Sequence, residues 1–317
     1  MGKSLSICVL GGTGFVGSAL VTRLAEAGHM VLVPTRNLSR GKHLTVLPTL
    51  KLELANVHDV RVLGQLFTGM DVVINLVGIL NERGRQTFRL AHVELAHKVV
   101  EAMRAARVSR LLHMSALGAG AQAPSQYLRS KGEAEALIRV AATSLDATIF
   151  RPSVIFGAHD SLTNRFAKLL RLTHGVLPLA RPGARFAPVY VHDVAEAFMR
   201  ALANPHTIGK SYELCGPDIM TLAEIVRTTA AAAGLPCHVI PLPDFIAAAQ
   251  GVLMDFLPGK PFSYDNYKSL TIDSICTSDG CRSLGIEPAR MRAIIPGYLR
   301  EQSFQRRLDD YRRSIPD

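Results

Sequence analysis

The chain has 317 residues, 48% hydrophobic and 20% charged, with a net charge of +10 at pH 7. That balance is a globular one and excludes a disordered chain, and the length suits one large or two modest domains. No stretch of ~20 apolar residues is present, so a spanning helix is excluded by length, and no block of like charges marks a nucleic-acid arm.

The N-terminus, MGKSLSICVLGGTGFVG, runs straight into a strand over 6–10 and a glycine loop. It lacks a separate basic region, apolar core and cleavage site, so no signal peptide is expected. The loop Gly11-Gly12-Thr13-Gly14-Phe15-Val16-Gly17 follows that strand and opens a helix over 15–27. This is the context that a dinucleotide fingerprint requires, and both the GxxGxxG and GxGxxG spacings are present. Glycines let backbone N–H groups approach a pyrophosphate, and the helix N-terminus supplies partial positive charge. Gly11, Thr13, Gly14, Phe15, Val16 and Gly17 are therefore candidate cofactor residues; a tight turn without ligand has the same spacing.

A second strand, 30–34, ends in Pro34-Thr35-Arg36-Asn37. A carboxylate at this place would bind a ribose 2′-hydroxyl. Arg36 stands there instead, with Arg40 and Lys42 nearby, and a guanidinium suits a 2′-phosphate. NADP(H) is favoured and NAD(H) is the alternative, with Arg36 and Asn37 as candidate contacts. Asn56 and Val57, after a third strand, are placed toward the adenine. Leu76, Val77 and Gly78 close the fourth strand, 72–77, and are placed against the adenosine ribose. Turn roles are the alternative for these residues.

A helical pattern over 87–106, a strand over 110–115, a helix over 125–142 and a strand over 147–150 continue the alternation. Strands alternating with helices imply crossovers onto a parallel sheet covered on both faces. Tyr127 and Lys131 are spaced i, i+4 and share a helix face. A nearby ammonium is expected to lower the phenol pKa and fit it for acid–base work on a carbonyl/alcohol pair. Ser115, at the end of its strand, is placed to orient the substrate oxygen.

After Arg151-Pro152 prolines become frequent. The expected fold is α/β: a doubly wound Rossmann-type parallel sheet over 1–155, with a smaller C-terminal substrate or partner lobe over 156–317, of which about 187–203 returns to the core. Helices are expected over 193–203, with Asp193 as the cap, and over 221–233. The apolar run 244–257 is read as a core or interface helix, with a membrane- or partner-facing helix as the alternative. Five cysteines without CxxC spacing are read as reduced thiols of a cytoplasmic protein. Eleven histidines show no ligand spacing, so no metal is expected. No nucleic-acid motif is seen.

These motifs resemble the short-chain dehydrogenase/reductase superfamily in its extended and atypical branch, the NAD-dependent epimerase/dehydratase family. The match rests on GGTGFVG, NLVG, Ser115, YLRSK, RPSVIFG over 151–157, VYVHDVA over 189–195 and LGIEP over 284–288, and covers nearly the whole chain. The resemblance implies NAD(P) binding, catalytic positions at Ser115, Tyr127 and Lys131, and cofactor contacts that include Tyr127, Lys131, Pro152 and Val154. PTRN, NLVGIL, YLRSK and PVYVHDVA are similar to the nucleotide-binding accessory subunit of respiratory complex I and its bacterial relatives. That subunit holds NADPH as a structural ligand. Two functions are therefore implied. One is an oxidoreductase or epimerase/dehydratase-type enzyme acting on a carbonyl/alcohol substrate. The other is a non-catalytic NADPH-binding accessory or assembly protein, peripheral at the inner face of the membrane and docked on a respiratory complex. The chain departs from sugar-nucleotide epimerases near His92-Val93-Glu94, where the superfamily often has a helix Asn, and shows no obvious arginine pattern for a nucleotide diphosphate.

Overall fold

β1 (Ser6–Leu10) lies inside a seven-stranded sheet, and its apolar run Ile7–Leu10 is buried there. The other strands are β2 (Met30–Thr35), β3 (Leu50–Leu54), β4 (Val72–Asn75), β5 (Arg110–Met114), β6 (Asp146–Pro152) and a strand at Ser211–Leu214. The order is Ser211–Leu214, β6, β5, β4, β1, β2, β3, and every pairing is parallel. The computed structural model describes residues 4–255 and 262–300.

Side chains alternate across a strand, so β1 serves two cores. Cys8 and Leu10 join Leu63, Phe67, Leu95, Val99, Met103, Ala134 and Ile138 in one cluster. Those residues come from α2 (Val60–Phe67), α3 (Leu95–Ala106) and α4 (Gln126–Ala141). α1 (Phe15–Glu26) packs with the helix Val191–Ala203, whose Phe198 lies 4.1 Å from Phe150 between ring centroids. The expected doubly wound parallel sheet is the fold observed, with one extra strand, Ser211–Leu214, that the alternation did not announce.

The chain divides into two compact units. One takes residues 1–152, 191–214 and 276–287; the other takes 153–190, 215–275 and 288–317. In the second, the helix Leu222–Ala233 opens on a reciprocal capping box between Thr221 and Glu224. Its core gathers Leu170, Leu177, Leu179, Leu222 and Val226. Val154 belongs to this unit, where its carbonyl accepts from Val189 N–H at 3.0 Å.

Four expectations are corrected. The helix read from Asp193 starts two residues earlier, at Val191, so Asp193 lies in the first turn, where its charge opposes the helix dipole's positive end. The pattern over 87–106 is not one α-helix: residues Arg89–Glu94 form a π-helical turn before α3, and His92 of that turn points inward. The apolar helix Asp244–Met254 buries only Ala247 and Gly251, while Phe245 is 75% and Leu253 71% exposed, so it is not a core helix; Phe256 and Leu257 lie outside the described residues. Cys8 and Cys237 are thiols outside any disulfide, whereas Cys215 and Cys276 are disulfide-bonded. Disulfides follow proximity in space, which spacing along the chain does not encode. Among the described residues no helix is long and apolar enough to cross a membrane.

Candidate active site

β1 sits between β2 and β4, so the chain leaves it in one direction to β2 and β3 and returns on the other side to β4. The carboxyl ends of β1 and β4 form the switch point at which open α/β sheets bind ligands. A cavity of about 530 Å³ lies there. Its walls are the carboxyl ends of four strands and the loops after them: Gly11, Thr13 and Gly14 after β1; Pro34 and Thr35 at the end of β2 with Arg36, Asn37 and Arg40 after it; Ala55, Val57 and His58 after β3; Leu76, Val77, Gly78 and Ile79 after β4. Gln86, Leu90 and Ala91 complete it, and no carboxylate is among the wall residues.

Gly17 explains how α1 starts so close to the loop. A Cβ there would collide with the Gly11 carbonyl oxygen and stand 2.7 Å from the Gly12 carbonyl carbon. Phe15, Val16 and Gly17 line α1 rather than the cavity, and Val16 and Gly17 are buried. Asn37 lines it while its Oδ1 accepts from Ser39 N–H at 2.9 Å, which starts the 3₁₀ turn Leu38–Leu44. Asn56 is exposed and outside the wall; its Oδ1 accepts from His58 N–H at 3.1 Å, the turn role. Pro34, Thr35, Ala55, His58, Ile79, Gln86, Leu90 and Ala91 went unread because none has a chemistry-bearing spacing.

A polar cluster lies in the same unit. Ser125 caps α4 by accepting from Leu128 N–H at 3.2 Å, which sets the register of Tyr127 and Lys131. Lys131, 3% exposed, donates through Nζ to the Met114 carbonyl at 3.1 Å and to the Val77 carbonyl at 3.5 Å. It thereby ties α4 to the ends of β5 and β4. A Cβ on Gly78 would come within 3.1 Å of that Nζ, so glycine admits the ammonium. Burial lowers the Lys131 pKa to about 8, with Glu135 opposing. Ser115, next to Met114, is 3% exposed, and its Oγ has no hydrogen-bond partner among the described residues. His113, two residues earlier on the same face of the strand, is equally buried, and neither ring nitrogen has a hydrogen-bond partner among the described residues; burial and then Lys131 lower its pKa to about 3. Pro152, buried at the end of β6, accepts from Leu117 N–H at 2.9 Å.

Tyr127 is half-buried, with its ring edge-on to His92 at 5.6 Å and to Phe88 at 5.9 Å. Burial pushes its phenol up to about 12. The expected lowering by Lys131 is therefore corrected: the ammonium is engaged by two carbonyls, and desolvation of the ring oxygen outweighs it. His92 holds the arrangement. Its Nε2 accepts from Ile79 N–H at 3.1 Å, so the proton sits on Nδ1 and is donated to Ser130 Oγ at 2.7 Å. Ser130 donates in turn to the Tyr127 carbonyl at 2.8 Å. Burial, with Lys131 and His113, lowers the His92 pKa to about 2, which keeps the ring neutral.

A model of the NAD dependent epimerase/dehydratase family matches residues 7–215. A mitochondrial NADH dehydrogenase [ubiquinone] 1 alpha subcomplex subunit 9 from Arabidopsis thaliana is 32% identical, over 92% of this chain and 76% of its own. A ceramide reductase from Caulobacter vibrioides is 30% identical over 78% of this chain and 77% of its own. Among solved structures, a nucleoside-diphosphate-sugar epimerase from Staphylococcus aureus superposes with a TM-score of 0.74 at 18% identity, covering 93% of this chain and 100% of that one. The sheet order, the glycine loop and these likenesses agree: the chain belongs to the NAD dependent epimerase/dehydratase family.

Proposed function

We propose that the protein is an NADP(H)-binding reductase or epimerase-type enzyme acting on a carbonyl/alcohol substrate. On this reading the first unit is the cofactor domain and the second the substrate lobe. The observation that carries the cofactor choice is a cavity wall holding Arg36 and Arg40 and no carboxylate. The Gly17 close approach and the switch-point position fit a dinucleotide, whose pyrophosphate would take the N–H groups at the start of α1. Arg36 would hold the 2′-phosphate, and Val57, Leu76, Val77 and Gly78 would face the adenosine half.

When bound, the nicotinamide supplies or takes up hydride. The chain's own residues manage the substrate oxygen. Ser115 Oγ, buried without a partner among the described residues, is a ready donor to it. The Tyr127 phenol, held up at about 12, stays protonated at neutral pH and transfers its proton to that oxygen as the carbonyl is reduced. Lys131 sets positive charge between Val77 and Met114, where it would favour the phenolate as it forms and would hold the nicotinamide ribose. The 32% likeness to the mitochondrial NADH dehydrogenase subunit supports a second reading: NADPH as a structural ligand in an accessory protein that docks on a respiratory complex.

Arg36→Asp tests the cofactor assignment. NADPH affinity should fall roughly tenfold to a hundredfold, the range for a lost charged hydrogen bond. NADH affinity should hold or rise, because a carboxylate accepts from a free 2′-hydroxyl. Equal losses for both cofactors in a calorimetric titration would refute the assignment.

A further inference from the structure

Arg36 is not a lone surface arginine. The segment that follows β4 gives Ile79 and Gln86 to the cavity wall, is tied to His92 at its start and is closed on itself at its end. At its start Ile79 N–H donates to His92 Nε2 at 3.1 Å, and at its end Phe88 N–H donates to Glu82 Oε1 at 2.7 Å. Between them Arg83 and Gln86 exchange backbone hydrogen bonds of 3.0 and 2.9 Å, closing a tight turn with Gly84 at φ +53°. A left-handed residue is what such a two-residue turn requires. The turn presents the half-buried Gln86 side chain to the cavity, beside Arg36. With its carboxamide oxygen turned to the guanidinium, Gln86 Oε1 accepts from Arg36 Nη2 at 3.1 Å and also from Nη1.

A guanidinium has two edges that can each serve a bidentate acceptor, the Nη1–Nη2 end and the Nε–Nη2 side. Gln86 takes the end. Its single oxygen therefore holds the direction in which the group points and leaves the side edge for a second acceptor with two oxygens, such as a phosphate. A neutral carboxamide does this without cancelling the arginine's charge, which a carboxylate at the same place would do. We infer that Gln86 is a specificity-determining residue that aims Arg36 at a ribose 2′-phosphate, with the 79–88 segment as the strap that carries it to the adenosine end of the cavity. This rests on the NADP(H) reading and adds a residue to it.

Gln86→Met keeps the length of the side chain and removes the acceptor, and Gln86→Glu keeps the acceptor and adds a negative charge. Titrations would use NADPH and NADH, then 2′,5′-ADP and 5′-AMP, which differ only in the 2′-phosphate. In Gln86→Met the affinity for NADPH and 2′,5′-ADP should fall roughly tenfold, and in Gln86→Glu further still. NADH and 5′-AMP should change by less than about twofold in Gln86→Met, because the strap's backbone bonds remain. A residue that only held the turn together would weaken all four ligands alike, and that pattern overturns the inference. So does a Gln86→Met protein indistinguishable from wild type while Arg36→Asp behaves as expected; the cofactor reading then survives alone. Wild type that binds NADH as tightly as NADPH overturns both.

Discussion

Tyr127→Phe is expected to slow NADPH oxidation with an accepted carbonyl by roughly two to four orders of magnitude, the usual contribution of a general acid. The substitution keeps the ring, and with it the edge contacts to His92 and Phe88, and removes only the hydroxyl. Folding should persist. NADPH affinity should persist too, since the glycine loop and Arg36 line the cavity and Tyr127 is not among its wall residues. Thermal melting, a cofactor titration and steady-state rates over a panel of carbonyls check the three parts. A protein that holds NADPH, turns it over on none of the panel and is unchanged by Tyr127→Phe would favour the accessory reading, with Ser115, Tyr127 and Lys131 kept as features of the fold.

Lys131→Met should separate stability from function. The ammonium is almost fully buried, and its pKa falls from the ordinary 10.5 to about 8. That gap corresponds to roughly 3 kcal/mol of cost borne by the folded state wherever the group is charged. Below pH 8 both folded and unfolded chains hold the proton, so the cost is present in full. Between pH 8 and 10.5 the folded state releases the proton while the unfolded state keeps it, so stability from this group rises with pH through that window. Lys131→Met removes the cost and leaves the Met114 and Val77 carbonyls without this donor. A net gain of roughly 0–2 kcal/mol at pH 7 is expected, about 3 kcal/mol of relieved cost less about 1–3 kcal/mol for the orphaned carbonyls, with the alkaline rise abolished and cofactor affinity reduced. Denaturant melts across pH 7–10.5 would show it. A variant destabilised at pH 7 with NADPH affinity intact would mean that the buried charge is fully compensated and serves the fold alone.

The sheet was legible in the sequence because its inner strands β1, β2 and β4 are near-continuous apolar runs and its helices follow at regular intervals. β1 matches the read segment from Ser6 to Leu10, and Gly11 to Gly14 lead into α1 as the spacing requires. Ser211–Leu214 was not legible: it carries Tyr212 and Glu213 and is recruited by pairing with β6, a long-range event. The candidate chemistry was legible in its residue types and not in its electrostatics. Spacing put Tyr127 and Lys131 on one face, yet only the folded chain turns the ammonium toward two carbonyls and leaves the phenol governed by burial. Gln86 was illegible as a site residue, and His92 was legible only as a departure from the superfamily's helix Asn. Each works through partners distant in sequence, Arg36 in one case and Ser130 in the other.

What occupies the switch-point cavity is the most direct test of the NADP(H) assignment. Wild-type protein incubated with equal amounts of NADPH and NADH and then measured by native mass spectrometry should carry one NADPH per chain, with NADH adducts a minor species. A chain that takes up NADH in preference, or that takes up neither nucleotide, would contradict it.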